Sequence, residues 1–197
     1  MKCWAPAALG LCAFTASADI VILVGPGNVF GDENVLYNEA GLLDNGPLVQ
    51  GITNQTGAIV DFFGAGEDLV TPPRGQARVE AVDGAFTDLM IALHAEPNTF
   101  TSLIFNLNAA AKGPLDIIVS QESGGPIAGT FDLDPNGENF FRIIASKGFL
   151  IELVTIDSSV DIQDIKQVRI GGVVPEPSSL FAAAIGLCWL LACRRRR

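Results

Sequence analysis

The sequence predicts an all-β domain, a two-sheet antiparallel β-sandwich of jelly-roll kind, set between two apolar end segments. Three observations predict it. The apolar stretches of the middle are short and separated by Gly, Pro, Asn and Asp. Several of them alternate apolar and polar residues with period two, the spacing of a half-buried strand. No stretch between the ends keeps a helical period for more than a turn or two.

The strands follow in order. Ile20–Val24, Val35–Tyr37, Leu48–Ile52, Ala58–Phe63, Gln76–Val82 and Thr87–His94 form the first half. Thr101–Leu107, Leu115–Gln121, Ile127–Leu133, Asn139–Ala145, Phe149–Ile156 and Ile165–Gly171 form the second. Leu103, Phe105 and Leu107 are predicted to share one face, with Ile104 and Asn106 opposite. Leu115, Ile117 and Val119 repeat the pattern, as do Phe149, Ile151 and Leu153. About a dozen strands with turns between them point to a sandwich rather than an open sheet. The strongest hairpin signal runs from Phe131 to Phe141, where Pro135 fits a turn and Asn136-Gly137 tolerate positive φ. Asn45-Gly46-Pro47 and Asp83-Gly84 punctuate in the same way.

The ends read differently. Met1-Lys2 is a short basic start and Trp4–Phe14 is apolar. Ala16-Ser17-Ala18 has the small-x-small form of a signal-peptidase site, with Asp19 as the new first residue. Residues 1–18 therefore read as a signal peptide, whose apolar run Trp4–Phe14 is too short to span a bilayer core of about 30 Å as a helix. At the other end, Val174-Pro175-Glu176-Pro177-Ser178-Ser179 leads into an uncharged stretch, Leu180–Cys193, and then Arg194, Arg195, Arg196 and Arg197. Prolines keep the neck from running back as helix. Residues 180–193 reach about 21 Å as a helix, short of a comfortable span unless the arginines snorkel. The arginines favour the cytoplasmic side, which leaves the domain outside.

Pro175-Glu176-Pro177, a short apolar helix and a closing arginine cluster together resemble the PEP-CTERM sorting signal of bacterial exported proteins. The resemblance covers Val174–Arg197. It implies handling by signal peptidase and then exosortase, a membrane cysteine transpeptidase. It also implies transient anchoring in the inner membrane and delivery to the cell surface or extracellular matrix, with exopolysaccharide or biofilm as the setting. Glu176 between its prolines is then a recognition residue. Gly51–Gly57, Gly75–Val79, Gly137–Phe141 and Asp164–Ile170 are also similar to spans of PEP-CTERM proteins with β-sandwich bodies.

What remains, residues 19–174, carries 7 basic and 21 acidic residues, a net charge of about −14. That argues against nucleic acid, whose binding needs a basic footprint. All four cysteines lie in the ends, so the domain holds no disulfide although its compartment permits one. The expectation is an all-β, monomeric domain indifferent to reductant.

Catalytic chemistry finds little support. His94 is the single histidine and no Gly-x-Ser-x-Gly elbow is present. Cys/His zinc sites are excluded by count. Gly25-Pro26-Gly27-Asn28-Val29-Phe30-Gly31 looks superficially like a phosphate loop but lacks Lys-Ser/Thr and a following helix, so a turn loop is the better reading. Paired carboxylates for glycoside hydrolysis need separations fixed in space, about 5–10 Å. The sequence reads as a noncatalytic exported surface or matrix protein, with a carbohydrate- or calcium-binding module as the alternative. For calcium, Asp132, Asp134, Asn136 and Glu138 have the oxygen spacing that opens an EF-hand loop. Ile143 stands where the bidentate Glu is needed and no helices flank it. A solvated polar turn and a millimolar calcium site both remain open, as they do at Asp157, Asp161 and Asp164.

Overall fold

The computed structural model describes residues 20–29, 32–73, 77–94, 99–135 and 138–173. The expected signal peptide with Ala16, Ala18 and Asp19, the expected sorting motif, the apolar segment and the arginine tail lie outside them. Among the described residues every element is a strand: β1 Ile20–Val24, β2 Asp32–Leu36, β3 Asn45–Gly46, β4 Leu48–Thr53, β5 Ile59–Gly64 and β6 Leu69–Val70. They continue with β7 Arg78–Ala81, β8 Phe86–Leu93, β9 Ser102–Ala109, β10 Gly113–Gln121, β11 Ile127–Leu133, β12 Asn139–Ala145 and β13 Ile151–Gly171. Every pairing among them is antiparallel. The fold is the predicted β-sandwich.

Its organising strand is β13, 21 residues long. The first part of β13 sits between β10 and β8. The second part sits between β9 on one side and β7 and β2 on the other. One layer thus runs β11-β10-β13-β8-β5-β4, the other β1-β12-β9-β13-β2. Strand β2 also pairs β4, so the layers join a second time. The corner on β13 lies between Asp157, opposite Asp88, and Ile162, opposite Phe86. There Ser158 Oγ donates to the Val160 carbonyl at 2.7 Å and Ser159 Oγ to the Pro114 carbonyl at 3.1 Å. These hydroxyls satisfy backbone that the ladder leaves without a partner.

The core lies between the layers. Leu103, Phe105 and Leu107 of β9, and Leu115, Ile117 and Val119 of β10, are fully buried, as their period requires. Phe141 on β12 touches Phe105 on β9 (centroids 5.5 Å apart) and Phe131 on β11 (5.4 Å), so one aromatic chain crosses the gap between layers.

Three sequence expectations change. The two segments Phe149–Ile156 and Ile165–Gly171 are one strand, because the polar run around Asp157–Ser159 is a corner and not a turn. Within its first part, Ile151, Val154 and Ile156 point inward and Leu153 does not. Ser120 pairs Leu153 while Gln121 pairs Ile151, so Glu152 is an extra residue, a bulge that flips the alternation. The predicted hairpin at Phe131–Phe141 is an arch: β11 pairs β10, whereas β12 pairs β9 and β1. Asn139 holds this arch. Its Oδ1 accepts from Asp134 N–H at 2.8 Å, and its Nδ2 donates to the carbonyls of Asp134 and Leu107 at 2.9 and 3.0 Å.

Candidate functional site

The two outer faces of the sandwich differ in charge. On the β11-β10-β13-β8-β5-β4 layer, strand register sets Asp116, Asp157 and Asp88 side by side. Like charges opposite one another repel. Thr130 Oγ1 donates to Asp116 at 2.5 Å and Thr87 Oγ1 to Asp88 at 2.8 Å, which offsets part of that repulsion. Next to this row run Ile118, Thr155, Met90 and the exposed Phe63. Glu67 lies close by, and burial, then the charges of Asp83, Asp88 and Asp161, push its carboxyl above the usual range.

The expected calcium residues lie at the arch. Asp132 ends the outward side of β11, Asp134 and Glu138 are exposed, and Asn136 lies outside the described residues. The arch is ordered by the Asn139 amide rather than by converging carboxylates. Among the described residues no group of three or more His, Cys, Asp or Glu is placed to hold a metal, the Asp157, Asp161 and Asp164 cluster included. His94, at the end of β8, sits 2.8 Å from Asp61 Oδ2 and 3.3 Å from Gln50 Nε2. Gln50 in turn donates to Asp61 at 2.9 Å. The histidine is thus tied into a polar cluster at the sheet end.

The β1-β12-β9-β13-β2 layer faces outward with the bases. Register aligns Arg142, Ile104 and Arg169 in one row, and Phe140, Asn106, Lys166 and Arg78 in the next. These four cations are more than half of the seven that residues 19–174 contain. Two of them have intramolecular counterions: Arg78 with Glu80, and Lys166 with Asp164 at 3.8 Å.

Arg142 and Arg169 meet the loop that leaves β1. Arg169 Nη1 donates to Asn28 Oδ1 at 2.6 Å. Arg142 passes beneath Gly27, where an added Cβ would stand 2.5 Å from its Nη1, so a larger residue there would push the guanidinium aside. The buried Arg142 Nε has no hydrogen-bond acceptor among the described residues. Between loop and sheet opens a cleft of about 120 Å³, lined by Pro26, Gly27, Asn28, Ile104, Phe140, Gln167 and Arg169. Gln167 reaches it through a left-handed backbone (φ 54°) at a break in the β13–β9 register. Strand β2 follows the loop and no helix does, which is the turn-loop reading and not a phosphate loop.

The cleft combines an apolar ring, an aliphatic floor, two amides and a guanidinium. Sequence reasoning did not gather these residues. Phe141-Arg142-Ile143 and Val168-Arg169-Ile170 do carry a signal, a base between inward apolar neighbours on a strand. Nothing in one chain says that the two strands are joined through β9.

No family model matches the chain, and no curated protein matches it. Among solved structures it is similar to a family 29 carbohydrate-binding module in variant form, at 12% identity over 79% of this chain and 89% of that one, with a TM-score of 0.27. A structure titled BiXyn10A CBM1 APO is similar at 14% identity over 79% and 97%, with a TM-score of 0.27. At TM-scores this low the sandwich assignment rests on the strand pairing itself.

Proposed function

We propose that this is a noncatalytic exported β-sandwich that works at the cell surface or in the extracellular matrix and holds an acidic polysaccharide in the Arg169–Phe140 cleft. The observation that carries the reading is the cleft's composition. A ring face suits the apolar face of a sugar. Amides suit hydroxyls, and a guanidinium suits a carboxylate or sulfate. The size supports it too. Pockets that enclose a small molecule run to roughly 300–1,000 Å³, whereas this cleft is a foothold for one residue of a longer chain. A net charge of about −14 would oppose an anionic ligand elsewhere on the domain, so the basic face is where a polyanion meets least repulsion. Affinity electrophoresis in gels containing a polyuronate tests this. Retardation by the acidic polymer but not by a neutral glucan is expected, weakened about tenfold or more by Arg169→Ala. Equal mobility in both gels would remove the ligand reading.

The sorting route is a separate part of the proposal, supported by the resemblance of Val174–Arg197 to the PEP-CTERM signal. Replacing Pro175, Glu176 and Pro177 together by alanine is expected to leave the chain exported but uncleaved in the inner membrane. Truncation before Arg194 is expected to impair retention and orientation first. Intact-mass measurement on envelope and medium checks both. A triple-alanine chain at the surface with the wild-type mature mass would reduce the tail to an anchor.

A further inference from the structure

β1 is an edge strand whose free side has no partner among the described residues. Its sequence is Ile20-Val21-Ile22-Leu23-Val24, with no charge, proline or glycine. Edge strands are ordinarily blunted by charge, proline or bulges. The neighbouring edge of the other layer, β11, is blunted by charge: Asp132 lies on its outward side. On β1, by contrast, Val21 is 44% exposed and Val24 62%.

The hydrogen bonds fix which backbone groups are free. Gly25 N–H donates to the Phe140 carbonyl at 2.9 Å, just beyond the Val24–Phe141 pair. Ala145 N–H, opposite Ile20, turns the other way and donates to the Thr101 carbonyl at 2.8 Å. Because antiparallel bonding alternates, Val21 and Leu23 bond β12, and Ile20, Ile22 and Val24 aim their N–H and C=O at the open edge.

We infer that β1 pairs antiparallel with β1 of a second copy, about a two-fold axis at Ile22, joining two sandwiches through one continuous layer. The strand is self-complementary about that point. Ile22 meets Ile22 of the second copy, and Ile20 meets Val24 of the second copy, so every outward backbone group gains a partner. On the outer surface Val21 comes against Leu23 of the second copy, which covers side chains that one copy leaves exposed. Charge does not oppose the approach: β1 is uncharged, and its neighbour on β12 across from Leu23 is Arg142, on the one face where acids do not dominate. The sequence alone gave a monomer, because a run of five apolar residues does not show on which side of its layer it lies.

Val24→Pro separates this pairing from the fold. The N–H it removes is one that β12 does not use, and the Val24 side chain is mostly in solvent. Val21→Lys is the second variant, placing a charge against Leu23 of the second copy. Sedimentation of the full chain in mild detergent, at about 10–100 μM, is the measurement. A wild-type dimer is expected, with dissociation at least about tenfold weaker in both variants and thermal midpoints kept within a few degrees of wild type. A wild-type monomer across that range overturns the inference, whether because the edge stays in water or because residues ahead of Ile20 cover it. A dimer that survives both variants also overturns it, and places the contact elsewhere. If Val24→Pro fails to fold, Val21→Lys alone decides.

Discussion

Glu33→Gln is expected to lower the stability of the domain by about 2–4 kcal/mol in urea unfolding. Glu33 is a buried carboxylate on β2, 5% exposed. One oxygen, Oε2, accepts from the N–H of Thr56 at 2.7 Å, the N–H of Gln55 at 3.0 Å and the hydroxyl of Thr56 at 3.1 Å. It therefore closes the turn between β4 and β5 from the neighbouring strand. A carboxamide can set its one oxygen before these donors, but it loses the charge that strengthens all three bonds and puts an NH2 donor where the second carboxylate oxygen stood. Burial raises the pKa of this carboxyl, but the Thr56 and Gln55 backbone bonds and the Thr56 and Thr53 hydroxyls outweigh it, and the net shift is downward. The sign follows. With the folded pKa below the unfolded one, the contribution is complete above the unfolded value, about 4.3, and disappears as pH falls through the folded value. Glu67 works the other way, since its raised pKa favours the folded state on acidification. The difference between wild type and Glu33→Gln cancels Glu67, and that difference should shrink below about pH 4. A difference that stays constant down to pH 2 would show that Glu33 acts by shape and not by charge.

Phe141→Ala is expected to cost about 3–5 kcal/mol. Phe141 is 1% exposed and is the middle of the aromatic chain from β9 through β12 to β11. Its loss removes both ring contacts and opens a cavity where the layers close on each other. Phe131→Ala, with a partly buried ring at the end of that chain, should cost distinctly less. Equal losses would mean that the two rings act as one unit rather than as centre and end.

The strands were legible because burial on one face writes period two into the chain. Each of the twelve predicted segments overlaps a strand, and β10, β11 and β12 show why. Each alternates cleanly, and Gly113 and Asn139 open β10 and β12. β3 and β6 were not legible. Asn45–Gly46 and Leu69–Val70 are two residues each, too short to show any period. The bulge at Glu152 and the corner at Asp157–Ile162 were invisible for a related reason. Both are properties of pairing with β10 and β8, and a partner's register is not encoded beside the residue it displaces. The arch misled because Pro135-Asn136-Gly137 signals a reversal without saying into which layer the chain returns. The cleft combines these difficulties, since Asn28, Phe140 and Arg169 come from three distant segments.

The length of β13 has a consequence for how the protein is made. Ile170 must find Glu33, and Ile156 must find Leu89, so contacts between the latest strand and much earlier ones complete both layers. Such nonlocal closure is slow relative to local hairpins. A chain threaded across a membrane from its N-terminus cannot close the sandwich until Gly171 has crossed, because until then neither layer has its shared strand. During transit the early strands remain open, and β1, the most apolar of them, is the first to emerge. Under the proposed export, passage and folding are thereby ordered in time: the polypeptide would stay translocation-competent for nearly its whole passage and become compact only as its last strand arrives.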